Sequence, residues 1–260
     1  MSSYLIAIPA RYASSRFPGK ALALVGGEPM IARVCRQARR TAARRVIVCT
    51  DHEEIAAAAA AAGAEVCMTP SQLPSGTDRI GCMLREFGLG GEELVVNIQG
   101  DEPLIRPGHI DLVAAALESH PGAAMASLCA PMHSLADVMD PHIVKVVLDR
   151  EGYALYFSRA PIPYERDYFA AGGGDGGGEL RFTHYHHFGL YAYRAQTVLD
   201  FIAAGPCELE RCEMLEQLRV LHRGGRIIMA VTDEPPQPGI DTPADLRRAN
   251  AYLQAAGGDG

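Results

Sequence analysis

Charged side chains near the start of this sequence have the types and spacing needed for phosphate chemistry. Arg11, Arg16 and Lys20 follow the apolar segment 4–8 in a loop that closes with Pro18-Gly19. Cations and unpaired backbone N–H groups at the end of a strand are what proteins use to bind polyphosphates. The loop has neither the P-loop pattern nor the dinucleotide-binding glycine pattern. Its residues alone predict phosphate binding, with a solvated basic loop as the alternative.

A carboxylate cluster follows the most apolar segment of the chain. Residues 94–98 lead into Gln99-Gly100-Asp101-Glu102-Pro103. Mg²⁺ prefers oxygen ligands and needs only one or two carboxylates when substrate phosphates complete its shell. Asp101 is therefore predicted to be a Mg²⁺ ligand, and a capping role before the next helix is the alternative.

A third polar loop, Ser75–Arg79, is predicted either to contact a nucleotide or simply to begin a helix that Thr77 caps.

The elements that must position these loops alternate between strand and helix, which predicts an α/β protein with a doubly wound, mostly parallel mixed sheet. Pro9 lacks an N–H for the ladder, so the first strand is expected to end before it. The other predicted strands are 45–49, 65–68, 94–98, 188–193 and 227–231. The predicted helices are 29–42, 53–62, 77–87, 108–117, 197–203, 208–221 and one that starts at Thr242-Pro243.

The middle of the chain is predicted to be rich in β structure. Residues 143–148 and 153–157 flank a turn and indicate a hairpin, and the glycine run Gly172–Gly178 reads as a surface insertion. His184, His186 and His187 invite a metal-site hypothesis, but no Cys or carboxylate lies at ligand spacing. A polar pocket or a subunit contact is favoured for them.

Composition limits the possible classes of function. The chain has 260 residues, 48% of them hydrophobic, which suits one large domain. A net charge of −7 argues against a nucleic-acid surface. No run reaches membrane-spanning length and the first residues do not form a leader peptide, so a soluble, cytoplasmic protein is expected. The seven Cys are scattered, and neither a zinc site nor a disulfide framework is expected.

Three motifs taken together resemble the sugar-acid cytidylyltransferases. They are Pro9-Ala10-Arg11-x-x-Ser14-x-Arg16-x-Pro18-Gly19-Lys20, Asn97-x-Gln99-Gly100-Asp101-Glu102-Pro103 and Ile240-Asp241-Thr242-Pro243. Residues 144–148, 153–160 and 213–219 are similar to the CMP-Kdo synthetase branch of that family, where Kdo is 3-deoxy-D-manno-octulosonate. The resemblance extends to about Leu253.

This resemblance implies a single nucleotidyltransferase domain with a Rossmann-like sheet over residues 1–260. A β-rich subregion at about 130–195 would bind the acceptor and form a homodimer contact. The implied reaction joins CTP and Kdo to give CMP-Kdo and pyrophosphate, with Mg²⁺, for lipopolysaccharide biosynthesis. No nucleic acid or membrane partner is implied.

The family's functional positions can be carried over to matching residues. The implied catalytic residues are Arg11, Lys20, Asp101 and Asp241, of which Asp101 and Asp241 would bind Mg²⁺. The implied CTP-binding residues are Pro9, Ala10, Arg11, Ser14, Arg16, Lys20, Thr50, Asp51, Ser75, Thr77 and Arg79. The implied Kdo-binding residues are Gln99, Arg159, His187, Tyr191, Glu216 and Gln217. The chain departs from the family at the Gly172–Gly178 insertion, at Tyr164 and at His184 and His186, which affects the alignment around His187.

Two other functions fit parts of this pattern. A cytidylyltransferase for another acid sugar, such as sialic acid, would share the nucleotide motifs. A non-catalytic nucleotide-binding regulator would share the fold, although the joint presence of Arg11, Lys20, Asp101 and Asp241 argues against it. A glycosyltransferase is disfavoured because no Asp-x-Asp follows a strand.

Overall fold

The computed structural model describes residues 4–13, 17–166, 180–235, 237 and 239–255. Its strands are β1 (Tyr4–Ala10), β2 (Leu24–Val25), β3 (Glu28–Pro29), β4 (Val46–Thr50), β5 (Glu65–Met68), β6 (Leu94–Asn97), β7 (Met125–Pro131), β8 (Lys145–Leu148), β9 (Ala154–Ser158), β10 (Tyr185–Arg194) and β11 (Ile227–Val231). Its helices are α1 (Met30–Ala38), α2 (Glu53–Ala61), α3 (Gly76–Glu86), α4 (Pro107–Ser119), α5 (Leu135–Met139), α6 (Ala195–Ala204), α7 (Glu208–Glu213), α8 (Leu218–His222) and α9 (Pro243–Ala255).

The described residues form a central nine-stranded sheet in the order β11-β7-β10-β6-β1-β4-β5, with the β8–β9 hairpin attached to β10. Neighbours pair in parallel along β6-β1-β4-β5 and between β7 and β11. Strand β10 runs antiparallel to both β6 and β7. The predicted fold class, a mostly parallel mixed α/β sheet, is confirmed.

Alternate side chains of the central strands enter two apolar cores, one on each face of the sheet. Ile6 and Ile8 of β1 belong to the core that α1, α2 and α4 cover, whereas Leu5 and Ala7 belong to the core under α3 and α6. Each fully buried Leu or Ile contributes roughly 1.5–3 kcal/mol by leaving water. This two-sided burial explains why the central strands are apolar at nearly every position.

Pro9 lies inside β1, so the prediction that the strand ends before it was wrong. Pro9 is in register with Cys49 of β4, while the pairing of β1 with β6 stops at Ala7 and Asn97. Because the Ile6 N–H donates to Arg45 on the β4 side, the position of the missing Pro9 N–H faces the β6 side. The Ile98 N–H donates to the Ala7 carbonyl oxygen at 3.1 Å, and the pairing with β6 ends at this point, where Pro9 has no N–H to continue it.

Three predicted helices have different ends in the structure. Helix α1 stops at Ala38, short of residue 42. Helix α3 is capped by Ser75, whose side chain accepts from Asp78 N, and not by Thr77. The helix expected over 208–221 is broken into α7 and α8, because Met214 adopts a left-handed conformation with φ 54 and ends α7.

The β-rich middle region contains the predicted hairpin, with β8 and β9 paired antiparallel and β8 also paired with the start of β10. The Gly172–Gly178 run lies outside the described residues. Among the helices that the structure describes, none has the length and apolar character required to cross a membrane.

Candidate active site

The predicted phosphate loop and the predicted carboxylates meet at one edge of the sheet. Because β1 and β6 are parallel neighbours, the segments that leave them emerge at the same edge, which is where open α/β sheets bind ligands. Gly100 allows the two segments to approach closely. A Cβ at Gly100 would lie 3.1 Å from the Pro9 carbonyl oxygen and 3.2 Å from the Ala10 Cβ.

Lys20 joins three loops at this edge. Its Nζ donates to Asp101 Oδ2 at 2.5 Å, to Asp241 Oδ1 at 3.0 Å and to the Ile240 carbonyl oxygen at 3.3 Å. The Ile240 N–H in turn donates to the Asp101 carbonyl oxygen at 2.8 Å, which fixes the loop before α9 against the loop after β6. Burial disfavours the ammonium, but the two carboxylates outweigh that effect and raise the pKa of Lys20.

A cleft of about 360 Å³ opens beside Lys20. It combines cations, carboxylates, the N-terminus of α3 and the loop after β6. Its lining is Pro9, Ala10, Arg11, Lys20, Ala21, Pro74, Ser75, Gly76, Arg79, Gln99, Gly100, Asp101, Glu216 and Asp241. The structure thus brings most of the predicted CTP-binding residues together around one cavity.

In the described part of the chain, three predicted nucleotide residues do not line this cleft: Thr50, Asp51 and Thr77. Thr50 is fully buried at the end of β4, and Ser14 and Arg16 lie outside the described residues. Asp51 is committed to protein contacts: its carboxylate accepts from the Tyr12 N–H at 3.1 Å and from Arg79 Nη2 at 2.8 Å. Asp51 therefore fixes the start of the phosphate loop.

Arg79 is 2% exposed, although it reaches the wall of the cleft. Besides Asp51 it donates to Thr69 Oγ1 at 2.6 Å and to the Pro70 carbonyl oxygen at 3.3 Å. A buried guanidinium with these partners connects β4, the loop after β5 and α3. Its geometry supports the cleft whether or not it also contacts a ligand.

A second cleft, of about 330 Å³, adjoins the first and shares Gly76, Gln99 and Glu216 with it. It is lined by Gly76, Thr77, Asn97, Gln99, Glu102, Met125, Gly189, Tyr191, Tyr193, Phe201, Met214, Leu215, Glu216 and Gln217. Four predicted Kdo residues, Gln99, Tyr191, Glu216 and Gln217, lie here. Thr77, which was predicted to bind the nucleotide, also lines the second cleft, and its hydroxyl donates to Glu216 Oε2 at 3.3 Å.

A chain of hydrogen bonds between neutral groups supports the second cleft. The Tyr191 hydroxyl donates to Gln217 Oε1 at 3.2 Å, and Gln217 Nε2 lies 3.4 Å from His187 Nδ1. His187 Nε2 lies 2.9 Å from Ser127 Oγ. Burial, together with the neighbouring His186, lowers the pKa of His187 to about 3, so this imidazole is neutral at pH 7. His187 lines a third, adjacent cleft of about 290 Å³ with Glu102 and Gly189.

Arg159 follows β9 and is not among the residues that line these three clefts in the described part of the chain. Its Nε donates to the Glu213 carbonyl oxygen at 2.7 Å and its Nη1 to the Pro141 carbonyl oxygen at 3.0 Å. Its backbone N–H donates to Glu213 Oε2 at 2.9 Å. Because Glu213 immediately precedes the segment Met214–Gln217, Arg159 fixes one wall of the second cleft from behind.

Several residues that line the second cleft were not predicted. Tyr193 could have been found from the two-residue period of β10, which places it on the same face as Tyr191. Asn97 and Glu102 lie within the Asn97–Pro103 motif, on either side of predicted site residues. Burial, together with the charge of Asp101, raises the pKa of Glu102 to about 8. Nothing in the sequence around Met214 predicts a site residue, because only the break between α7 and α8 exposes this side chain at the cleft.

The donor set at the edge of the first cleft fits a hard divalent cation. Asp101 and Asp241 are half-buried carboxylates, both within 3.0 Å of the same nitrogen. The described residues contain no group of three or more His, Cys, Asp or Glu that could hold a metal by themselves. Two carboxylates are sufficient for Mg²⁺ when phosphate oxygens supply the remaining ligands.

Comparison with known proteins identifies the family. A family model described as Cytidylyltransferase matches residues 5–227. The chain is 46% identical over 260 residues to the 3-deoxy-manno-octulosonate cytidylyltransferase of Marinobacter nauticus, covering 99% of this chain and 100% of that one. It is 47% identical over 254 residues to the protein of the same name from Pseudomonas syringae pv. tomato, covering 98% and 99%. The chain belongs to the 3-deoxy-manno-octulosonate cytidylyltransferases.

Solved structures agree with this assignment. This cytidylyltransferase is similar to a CMP:2-keto-3-deoxy-manno-octonic acid synthetase complexed with CTP, with a TM-score of 0.88 and 35% identity over 98% of this chain and 100% of that one. It also resembles a cytidylyltransferase from Leptospira borgpetersenii, with a TM-score of 0.62 over 98% and 88% of the two chains. At 14% identity, the second likeness concerns the fold alone. The predicted family is confirmed.

Proposed function

We propose that this chain transfers CMP from CTP to the anomeric 2-hydroxyl of Kdo, giving CMP-Kdo and pyrophosphate. The observation that carries the proposal is the arrangement of the two clefts, which share Gln99 and Glu216 beside Lys20, Asp101 and Asp241. A nucleotide in the first cleft and an acid sugar in the second would place the reacting phosphorus near their junction. Membership of a family named for this reaction supports the assignment.

On the nucleotide side, the chain supplies charge and position. Arg11 and Lys20, with Arg16 from the same loop, would bind the triphosphate and stabilise the negative charge that develops on the departing pyrophosphate. The backbone of Pro9 and Ala10 and the N-terminus of α3 complete the wall of this cleft. In-line displacement at phosphorus needs no protein nucleophile, so catalysis rests on orientation and electrostatics.

Asp101 and Asp241 would hold Mg²⁺. When bound, this ion supplies Lewis-acid chemistry, lowering the pKa of the attacking hydroxyl and neutralising charge on the α-phosphate. The protein's own part is to hold the two carboxylates at the mouth of the cleft, through the backbone bond between Ile240 and Asp101.

On the acceptor side, the chain supplies hydrogen bonds. Gln99, Tyr191, Glu216 and Gln217 line the second cleft and would contact the sugar acid. His187 would act by holding Gln217, and Arg159 by holding the segment that follows Glu213. Tyr191, Gln217 and Glu216 have fixed hydrogen-bond partners in the protein. A sugar with a different pattern of hydroxyls would therefore leave some of these polar groups unpaired, which lowers its rate.

The test is pyrophosphate release by the purified chain with CTP and Mg²⁺, comparing Kdo with N-acetylneuraminate as acceptor. We expect turnover with Kdo, loss of turnover with excess EDTA, and little turnover with N-acetylneuraminate. A preference for N-acetylneuraminate would show that the acceptor is another acid sugar and not Kdo. Tight CTP binding without turnover on either acceptor would support a nucleotide-binding regulator.

We further propose a homodimer formed by the β-rich region at about 130–195, in a cytoplasmic enzyme of lipopolysaccharide biosynthesis. Large apolar side chains on this region support the dimer: Leu155 is 60% and Phe182 is 66% exposed. Light scattering on the wild type and on Leu155→Glu tests it. We expect twice the chain mass for the wild type and a concentration-dependent shift towards the monomer for the variant.

A further inference from the structure

The hydrogen bonds of Lys20 conflict with two parts of the proposed function, namely phosphate binding by Lys20 and Mg²⁺ binding by Asp101 and Asp241. A lysine ammonium has three N–H donors, and Lys20 directs them to Asp101, Asp241 and the Ile240 carbonyl oxygen. With all three donors committed, none is left for a phosphate oxygen. The carboxylates that would hold Mg²⁺ are the ones that hold this ammonium.

A divalent cation and the ammonium cannot both have these contacts. Mg²⁺ binds oxygen at about 2.1 Å and demands a near-octahedral shell, whereas the ammonium lies 2.5 and 3.0 Å from the same two carboxylates. Two cations that share these oxygens would lie within a few ångströms of each other and repel strongly. One must leave when the other arrives.

We propose that Lys20 occupies the position of the divalent cation between Asp101 and Asp241, and that CTP makes metal binding possible by drawing the ammonium onto its phosphates. The identity of the nucleotide rests on the proposed function; the competition between the two cations does not. It follows that the metal joins Asp101 and Asp241 after the nucleotide has entered the cleft beside Arg11. Without nucleotide, these carboxylates bind divalent cations weakly.

The first experiment measures Mn²⁺ binding without nucleotide or sugar, from the electron paramagnetic resonance signal of free Mn²⁺. Lys20→Met removes the competing charge and keeps the length of the side chain. We expect the variant to bind Mn²⁺ roughly ten- to a hundredfold more tightly than the wild type, as removal of a contacting charge predicts. Equal or weaker binding by a folded Lys20→Met protein overturns the proposal.

Two further variants locate the effect. Arg11→Met removes an equal charge from the lining of the same cleft, and we expect a gain of less than about threefold, because an exposed charge is screened by water. Lys20→Met combined with Asp101→Asn should lose the gained affinity. A gain for Arg11→Met as large as that for Lys20→Met, or tight binding that survives loss of Asp101, shows that the ions do not compete at these carboxylates.

The wild-type protein offers an independent measurement if Lys20→Met does not fold. Lys20 and Lys145 are the only lysines in the sequence. Lys145 is fully buried and donates to the carbonyl oxygens of Asp140 and Ile143, so it serves as an internal control. With ¹⁵N-lysine, addition of Mg²⁺ and CTP should shift the ammonium resonance of Lys20 and leave that of Lys145 in place.

The two signals are assigned with Lys145→Met or Lys20→Arg, whichever folds. An unmoved Lys20 resonance, under conditions where Mn²⁺ and CTP are shown to bind, contradicts the exchange. Failure of the proposed function would be distinguishable, because it concerns turnover with Kdo, whereas these measurements need no acceptor and no turnover.

Discussion

The two adjoining clefts are built from opposite kinds of interaction. In the first, ionic groups face one another: Lys20 lies between Asp101 and Asp241, and Arg79 pairs with Asp51. In the second, His187, Gln217 and Tyr191 are linked by neutral hydrogen bonds, and burial keeps the imidazole uncharged. Ionic groups suit a polyphosphate, which needs charge compensation, whereas fixed neutral donors and acceptors suit a sugar, which is recognised by the pattern of its hydroxyls.

The largest effect on activity should follow from removing one carboxylate of the first cleft. Asp101→Asn keeps the shape of the side chain but loses a metal ligand and a partner of Lys20. We expect kcat to fall by roughly 10³-fold, about 4 kcal/mol, because charge stabilisation in the transition state is lost. Binding of CTP, measured by calorimetry, should remain detectable. Glu234→Gln, an exposed carboxylate paired with Arg106, is the matched control. Turnover near the wild-type level would rule out a metal-binding role for Asp101.

The next largest effect concerns stability, and it separates support of the first cleft from ligand binding. Arg79→Met leaves Asp51 buried without its cation, and breaking a buried ion pair in this way costs about 3–5 kcal/mol. Urea unfolding should show the loss. Adding Asp51→Leu to Arg79→Met should recover part of it, because the orphaned charge is then also gone. A single variant as stable as the wild type, with weaker CTP binding, would instead make Arg79 a ligand contact.

A smaller, selective effect should follow from loosening the wall of the second cleft. Arg159→Ala removes the guanidinium bonds to the carbonyl oxygens of Glu213 and Pro141 but keeps the backbone bond to the Glu213 carboxylate. We expect KM for Kdo to rise about tenfold, corresponding to roughly 1.4 kcal/mol. KM for CTP should stay within about twofold, because Arg159 does not reach the first cleft. Arg159→Lys retains the charge but not the forked donors, so it should restore only part of the affinity. A defect confined to CTP would overturn the assignment of Arg159 to the acceptor side.

The smallest effect should come from one neutral hydrogen bond. Tyr191→Phe removes the donor to Gln217 and keeps the ring, so kcat/KM for Kdo should fall about fivefold, near 1 kcal/mol. Tyr185→Phe, on the same strand outside the cleft lining, is the control. A loss above about a hundredfold would mean that the Tyr191 hydroxyl contacts the reacting groups directly.

Much of the fold could be predicted because the signals are local. The apolar runs of β4, β5, β6 and β11 and the strong start of α9, where Thr242 and Asp245 cap each other, lie within single segments. The prediction of one helix over 208–221 was wrong because no local signal marks its break. Its helical pattern is intact, but the left-handed Met214 divides it, and no local residue preference announces that conformation.

The site was predictable to the extent that its residues lie in contiguous motifs. Gln99 and Asp101, and Asp241 with Thr242, are adjacent to strong strand or helix signals, and the structure brings them together. Asp51 and Arg159 could not be resolved in the same way, because a charged side chain near a site can meet either the ligand or the protein. Which of the two it meets depends on partners distant in sequence, such as Glu213 for Arg159.

The sequence by itself determined the layered fold, the family and the list of charged residues available for phosphate chemistry, because apolar period and motif spacing are properties of short segments. Only the tertiary structure decided which of those charges neutralise one another. It placed Lys20 between two carboxylates 81 and 221 positions away, and it divided the site into an ionic cleft and a neutral one. Electrostatic energies depend on distance and burial in space, so they are settled only when the sheet has brought its loops to a common edge.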